Sequence, residues 1–229
     1  MRLLEIAKHK RLMQDKFYIL KPAVDTKETG HVFPAVESYD DYDFNSSNSV
    51  YNLDFDSFPD FTPDIRFKLA KGAKLCDIMG QGTISSCGLL ISQNVKDIFE
   101  KFNLIPHKYF DATIEAKGVI HKYFWVHFVW EDGIKYLDFE NSKFQINEFG
   151  ENLGDIEIDS YKLLLGKQTE LGFMKTIYNY QSSMLKVDYD LFIHPLNKTI
   201  YVSEKIFSSL TRDSLKGLDL IETMNLSMG

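Results

Sequence analysis

Cysteine is scarce: Cys76 and Cys87 are the only two in the chain. A sequence of this length with two thiols is no disulfide scaffold, and a reducing cytoplasm is the simplest compartment for it. Long apolar runs are missing too. The densest, Phe124-Trp125-Val126-His127-Phe128-Val129-Trp130, falls far short of the ~20 residues a spanning helix needs. At the N-terminus, Arg2, Glu5, Lys8, Lys10 and Arg11 interrupt the apolar positions, so no secretory signal is expected. Residues 36–64 lack Lys and Arg altogether while carrying most of the net charge, and that distribution argues against nucleic acid as the partner, because phosphate binding draws on clustered basic residues.

What is present is aromatic and acidic. With 44% hydrophobic residues, 18 Phe and 12 Tyr, the chain has the material for a sizeable core and is not a disordered protein. The net charge of −7 is unevenly placed. Between Val36 and Asp64 stand Glu37, Asp40, Asp41, Asp43, Asp54, Asp56, Asp60 and Asp64, with no Lys or Arg. The other 200 residues sum to about +1, so the rest of the chain reads as nearly neutral, with no rival charge feature. Such a patch suits a basic partner.

Element by element, residues 1–15 have Leu3, Leu4, Ala7 and Leu12 at helical spacing, a short amphipathic helix. Phe17–Leu20 reads as a strand stopped by Pro22. Residues 26–63 are rich in Asp, Ser, Asn and Pro, and their aromatics predict a long ordered loop packed on the body. A strand follows at 65–69, a loop at 72–88 and a short buried strand before Ser92. Ser92 is the N-cap of a helix whose inner face is Val95, Ile98, Phe99 and Phe102. Strands at 108–115, 121–130 and 134–139, separated by Ala116-Lys117-Gly118 and Glu131-Asp132-Gly133, read as an antiparallel meander. Then come a helix at 160–171 and strands at 184–193 and 198–202. The segment around Ser203 repeats that around Ser92 at an offset of 111 residues, which suggests two copies of a strand–Ser–helix unit. The expected class is α+β, with mixed or antiparallel sheets, a few packed helices and two related strand–helix halves. As one compact unit over 1–229, the halves would fall at 17–150 and 155–225.

The constellations of common enzyme chemistry are incomplete. Gly80-Gln81-Gly82-Thr83-Ile84-Ser85 lacks the strand and the Gly-Lys-Ser/Thr of a phosphate loop. Asp54-Phe55-Asp56-Ser57-Phe58-Pro59 begins like a calcium loop but has Pro59 where the turn needs Gly and Ile65 where a bidentate Glu is needed. Period-2 alternation puts His121, Tyr123, Trp125 and His127 on one strand face, with no further ligand at a familiar spacing, so no metal or cofactor is expected. Cys87 as a nucleophile with His121 or His127 as base would need only proximity, but Ser85-Ser86-Cys87-Gly88 matches no nucleophile elbow. No catalytic residue is assigned. A hydrolase-like enzyme on the His121/His127 face and a regulatory or structural subunit stay open as alternatives.

The segments Leu89-Leu90-Ile91-Ser92, Phe99 to Phe110, Tyr136-Leu137-Asp138-Phe139-Glu140-Asn141-Ser142 and Tyr201-Val202-Ser203-Glu204-Lys205 resemble bacterial polymorphic-toxin immunity proteins, over 17–22 and 65–225. The first 15 residues and the acidic loop read as additions to that family's core. The resemblance implies a non-enzymatic cytoplasmic protein that binds and occludes a cognate toxin. With it, the acidic-aromatic loop becomes the expected contact surface: Tyr39, Asp40, Asp41, Tyr42, Asp43, Phe44, Asp54, Phe55, Asp56 and Asp60. The expected partner is a basic toxin, with neither nucleic acid nor membrane involved.

Overall fold

The computed structural model describes residues 16–229; the helix expected over 1–15 lies outside them. Three helices and 14 strands among the described residues make an α+β fold. The strongest sequence signal builds its centre. Strands β6 (His107–Ala116) and β7 (Val119–Phe128) pair antiparallel along their whole length through a two-residue turn, Lys117–Gly118, with both residues at positive φ. They lie inside a six-stranded mixed sheet with β2 (Val36–Ser38), β3 (Ile65–Leu69), β4 (Ile78–Met79) and β5 (Gly88–Ile91), in the order β2-β3-β6-β7-β5-β4.

Because side chains alternate along a strand, β7 feeds two cores. Tyr123 and Trp125 pack with Phe67, Leu90 and Ile114 on one face. Phe124, Val126 and Phe128 pack on the other with Val95, Ile98 and Phe99 of α1 (Gln93–Phe99) and Ile206 and Leu210 of α3 (Glu204–Arg212). Each large side chain so buried contributes roughly 1.5–3 kcal/mol. This second core is closed by a sheet ordered β11-β12-β1-β13, formed by β1 (Phe17–Pro22), β11 (Leu191–Ile193), β12 (Ile200–Ser203) and β13 (Leu218–Glu222). A third sheet, ordered β14-β10-β8-β9, joins β8 (Lys143–Glu148), β9 (Glu151–Ile156), β10 (Lys175–Met184) and β14 (Leu226–Met228). Helix α2 (Tyr161–Leu171), capped by Ser160, packs on β10.

Two expected strands are corrected. Residues 134–139 do not continue a meander: Gly133–Tyr136 is a short 3-10 turn. A Cβ at Gly133 would come within 2.8 Å of the Trp130 ring, so the chain folds back tightly there and Tyr136 stacks on that indole at 5.3 Å. The strand expected over 184–193 is really the end of β10 and, after an irregular stretch, β11.

The strand–Ser–helix unit does occur twice. Ser92 and Ser203 both stand in extended backbone just before a helix. Ser92 Oγ accepts from the Val95 amide, but Ser203 makes no side-chain cap. Its hydroxyl donates instead to Asp190 Oδ1 at 2.9 Å, as Ser92 Oγ donates to Asp77 Oδ1 at 2.8 Å. The two aspartates then reach across to the other unit. Asp77 exchanges backbone and carboxylate hydrogen bonds with Lys216, just beyond α3, and Asp190 does the same with Asn103, just beyond α1. Each carboxylate therefore ties the start of its own helix to the end of the other.

Candidate functional site

The acidic segment is an ordered platform on the β2–β3–β6 side of the central sheet. Tyr42 is its pillar. It is buried in the first core, its hydroxyl donating to Asp64 O at 2.8 Å and accepting from the Val50 amide at 3.0 Å. From it an aromatic ladder climbs outward: Phe44 lies 4.8 Å from Tyr42 and Tyr51 lies 4.6 Å from Phe44, ring centre to ring centre. Tyr51 ends the ladder 59% exposed. Ser49 holds it there by accepting from the Tyr51 amide at the start of the short turn Val50–Asn52.

Staples fix the rim. Tyr39 donates to Glu115 Oε2 at 2.9 Å while Arg66 and Lys68 lie over its ring, and partial burial together with that bond raises its hydroxyl pKa. Asp40 meets Lys68 at 3.1 Å and Asp56 meets Lys198 at 3.6 Å. Lys108 sits over the Phe58 ring. Asp54 shapes its own turn, accepting from the amides of Phe55 and Asp56.

Of the expected contact residues, Asp40, Asp41, Asp43, Asp54, Phe55, Asp56 and Asp60 are exposed, Tyr39 and Phe44 half-buried, and Tyr42 buried. Tyr42 supports the platform from beneath, and its replacement by Ala would remove the support rather than a contact. Tyr51 has the exposure for contact and was missed. The Ser49-Val50-Tyr51-Asn52 turn, which lifts a ring above the surface, was the available signal. Asp41 and Asp60 have no hydrogen-bond or ionic partner among the described residues.

The histidine strand face is built for packing. His121 and His127 are six residues apart on β7, roughly 20 Å at strand rise, and cannot share one small substrate. His127 is fully buried, its ring nitrogens placed against Ser86 Oγ (3.4 Å) and Ser57 O (3.3 Å), and desolvation lowers its pKa. It ties the acidic loop to the sheet. Burial pushes the Cys87 thiol up to about 11, so it is protonated at neutral pH and a poor nucleophile. The glycine loop satisfies itself: Gln81 Oε1 accepts from the amides of Thr83 and Ile84, and Gln81 Nε2 donates to Ile84 O. Among the described residues, no three His, Cys, Asp or Glu side chains gather as metal ligands.

A Ser–His pair that the sequence did not suggest lies inside the protein. His194, fully buried, accepts at Nδ1 from the amides of Leu196 and Asn197, which leaves its proton on Nε2. That N–H donates to Ser182 Oγ at 2.8 Å; Ser182 donates onward to Asn179 Oδ1, and Asn179 Nδ2 donates to Lys143 O and Gln181 O. Every proton in this chain points away from the histidine, so the imidazole cannot act as base toward Ser182.

Desolvation pushes His194 down to about 4. Between that value and the ordinary value near 6.5, the unfolded chain binds a proton that the folded one refuses, so stability falls as pH falls through this window. The expected loss from His194 is roughly 2 kcal/mol between pH 7 and pH 5. Urea unfolding at the two pH values checks it: His194→Gln should flatten the slope, and an equally steep slope in the variant would contradict the assignment.

A comparison with the curated proteins returns no match. The sequence model of an immunity protein family matches residues 4–224, nearly the whole chain. Its span runs through the acidic platform and most of the first 15 residues. On that match, the chain belongs to the immunity protein family (Imm11).

Proposed function

We propose that this protein neutralises a cognate toxin in the cytoplasm by binding it, without catalysis, and that the platform over residues 39–60 forms the contact. Family membership supplies the class of partner. The observation that carries the rest is the platform's construction: a buried tyrosine, a ladder of rings ending in exposed Tyr51, exposed Phe55 beside it in sequence, and a rim of outward carboxylates. Aromatic rings supply contact area at small entropic cost, and the carboxylates draw in a basic surface. Holding the loop rigid before binding keeps its ordering cost out of the association step.

The test is binding and protection with the toxin encoded in the neighbouring reading frame. Wild type should bind the purified toxin and protect cells that express it. Tyr51→Ala with Phe55→Ala should speed dissociation at least tenfold, with little change in the association rate, because buried contacts act on escape. Unchanged dissociation would remove these rings from the contact.

A further inference from the structure

A second surface carries the same chemistry on the opposite side of the central sheet. The near-neutral sum over the rest of the chain concealed it. From Phe144 to Tyr161 there are five acids, Glu148, Glu151, Asp155, Glu157 and Asp159, and no Lys or Arg. Glu148, Glu151 and Asp155 lie on β8 and β9, with Glu157 and Asp159 just beyond; this sheet packs against the second core, whereas the platform sits on the first. Strand β9 is an edge strand, exposed along nearly its whole length.

The tip of this hairpin is built against its own stability. Phe149 and Gly150 form the two-residue turn, both at positive φ (48° and 89°). Glycine takes that conformation freely; a bulky aromatic residue does not. The matching turn of β6–β7 has Lys117 in that position, a side chain suited to water. Here the strained residue is a phenylalanine, 82% exposed. The pairing of Lys175 with Glu148 brings Met174 and the fully exposed Phe173 to the same end of the sheet. Strained backbone and exposed rings at one point are the mark of a surface kept for contact.

The charges decide what it contacts. Lys175 faces Glu148 across the strands and offsets it, while Glu151 and Asp155 stay exposed along the edge strand; a second copy would set these carboxylates against their own kind, and an anionic membrane would be repelled by them. A basic protein with an apolar cleft fits both features. We propose that the β8–β9 tip, with Phe149, Phe173 and Met174 flanked by the acidic edge strand, is a second docking surface for the cognate toxin, so that the toxin is held from two sides. This rests on the function proposed above.

The experiment measures binding of the purified toxin from the neighbouring reading frame to wild type and to the Phe149→Asn, Phe173→Ser double variant. Asn accepts positive φ and Ser is at ease in water, so the variant should melt at or above the wild-type temperature. Its dissociation constant should nevertheless rise roughly 30-fold, as loss of aromatic anchors does. In parallel, amide exchange along residues 151–156 of the wild type should slow in the complex. Equal affinity of variant and wild type, or unchanged exchange along β9, overturns the second surface and leaves the platform standing. Failure of the wild type to bind that toxin overturns the functional reading and this surface with it.

Discussion

Replacing Asp190 with alanine is expected to cost about 3 kcal/mol of folding stability, because the side chain accepts from two partners that are left without it. Asn103 N–H donates to Oδ2 at 3.2 Å and Ser203 Oγ to Oδ1 at 2.9 Å, in a site where the Asp190 side chain is 15% exposed. The ion pair with Lys205 adds little, since that lysine is largely in water. Asp77→Ala should behave alike, for it holds Ser92 and the Lys216 amide in the same way. Ser203→Ala should cost only about 1 kcal/mol, one hydrogen bond and no cap. Urea unfolding measures all of these. The sharper reading is a double-mutant cycle: Asp190 and Ser203 should couple, whereas Asp190 and Ser92 should be additive. A loss under 1 kcal/mol for Asp190→Ala would show that the two strand–helix units do not depend on this crossed bracing.

That bracing shows where legibility ended. Periodicity revealed β7 and both faces it serves, because strict alternation of large apolar residues leaves a strand few other options. The two Ser positions were legible for the same local reason. Asp77 and Asp190 were not, because each works through partners in the other unit, and no local pattern marks a carboxylate that will meet an amide over 80 residues away. Strands β8, β9 and β10 were missed because Gln145, Asn147, Asn152, Asn179 and Gln181 weaken their alternation; they form at the border of the core, where one face stays wet. The residues 134–139 erred the other way, alternating like a strand while the contact of Gly133 with Trp130 turned them into a 3-10 segment.

In the candidate site, composition pointed to the platform but not to its internal division. Tyr42 and Tyr51 both stand among polar neighbours, and in sequence only the Ser49–Asn52 turn sets them apart. The buried Val50 amide needs an acceptor, and the Tyr42 hydroxyl supplies it, so Tyr42 goes in and Tyr51 is left at the surface. The second acidic hairpin was hidden by arithmetic: a sum near zero over a long stretch does not mean an even distribution.

Association with the toxin should respond to the platform's charge. Changing Asp40, Asp41 and Asp43 together to Lys alters the platform by six charges. The fold should persist, since all three are exposed, Asp40 loses only a surface pair with Lys68, and Asp43 loses only an exposed turn bond from the Asn45 amide. Tyr42 between them keeps both its hydrogen bonds to backbone groups. For a basic toxin, steering by opposed charge accelerates encounter by roughly 10- to 1,000-fold at low salt, and that gain should vanish or reverse. Dissociation should change far less, because rim charges act mainly on approach. Circular dichroism and melting of the variant confirm that the comparison is between folded proteins.

Whether the platform meets the toxin is read from the association rate constant of purified toxin with wild type and with this triple variant, measured across ionic strength. The wild-type rate should be high at low salt and fall steeply as salt screens the charges. The variant's rate should be at least tenfold lower at low salt, and flat or rising with added salt. Identical rates and identical salt dependence for the two proteins would remove the platform from the contact and leave it as a solvated surface.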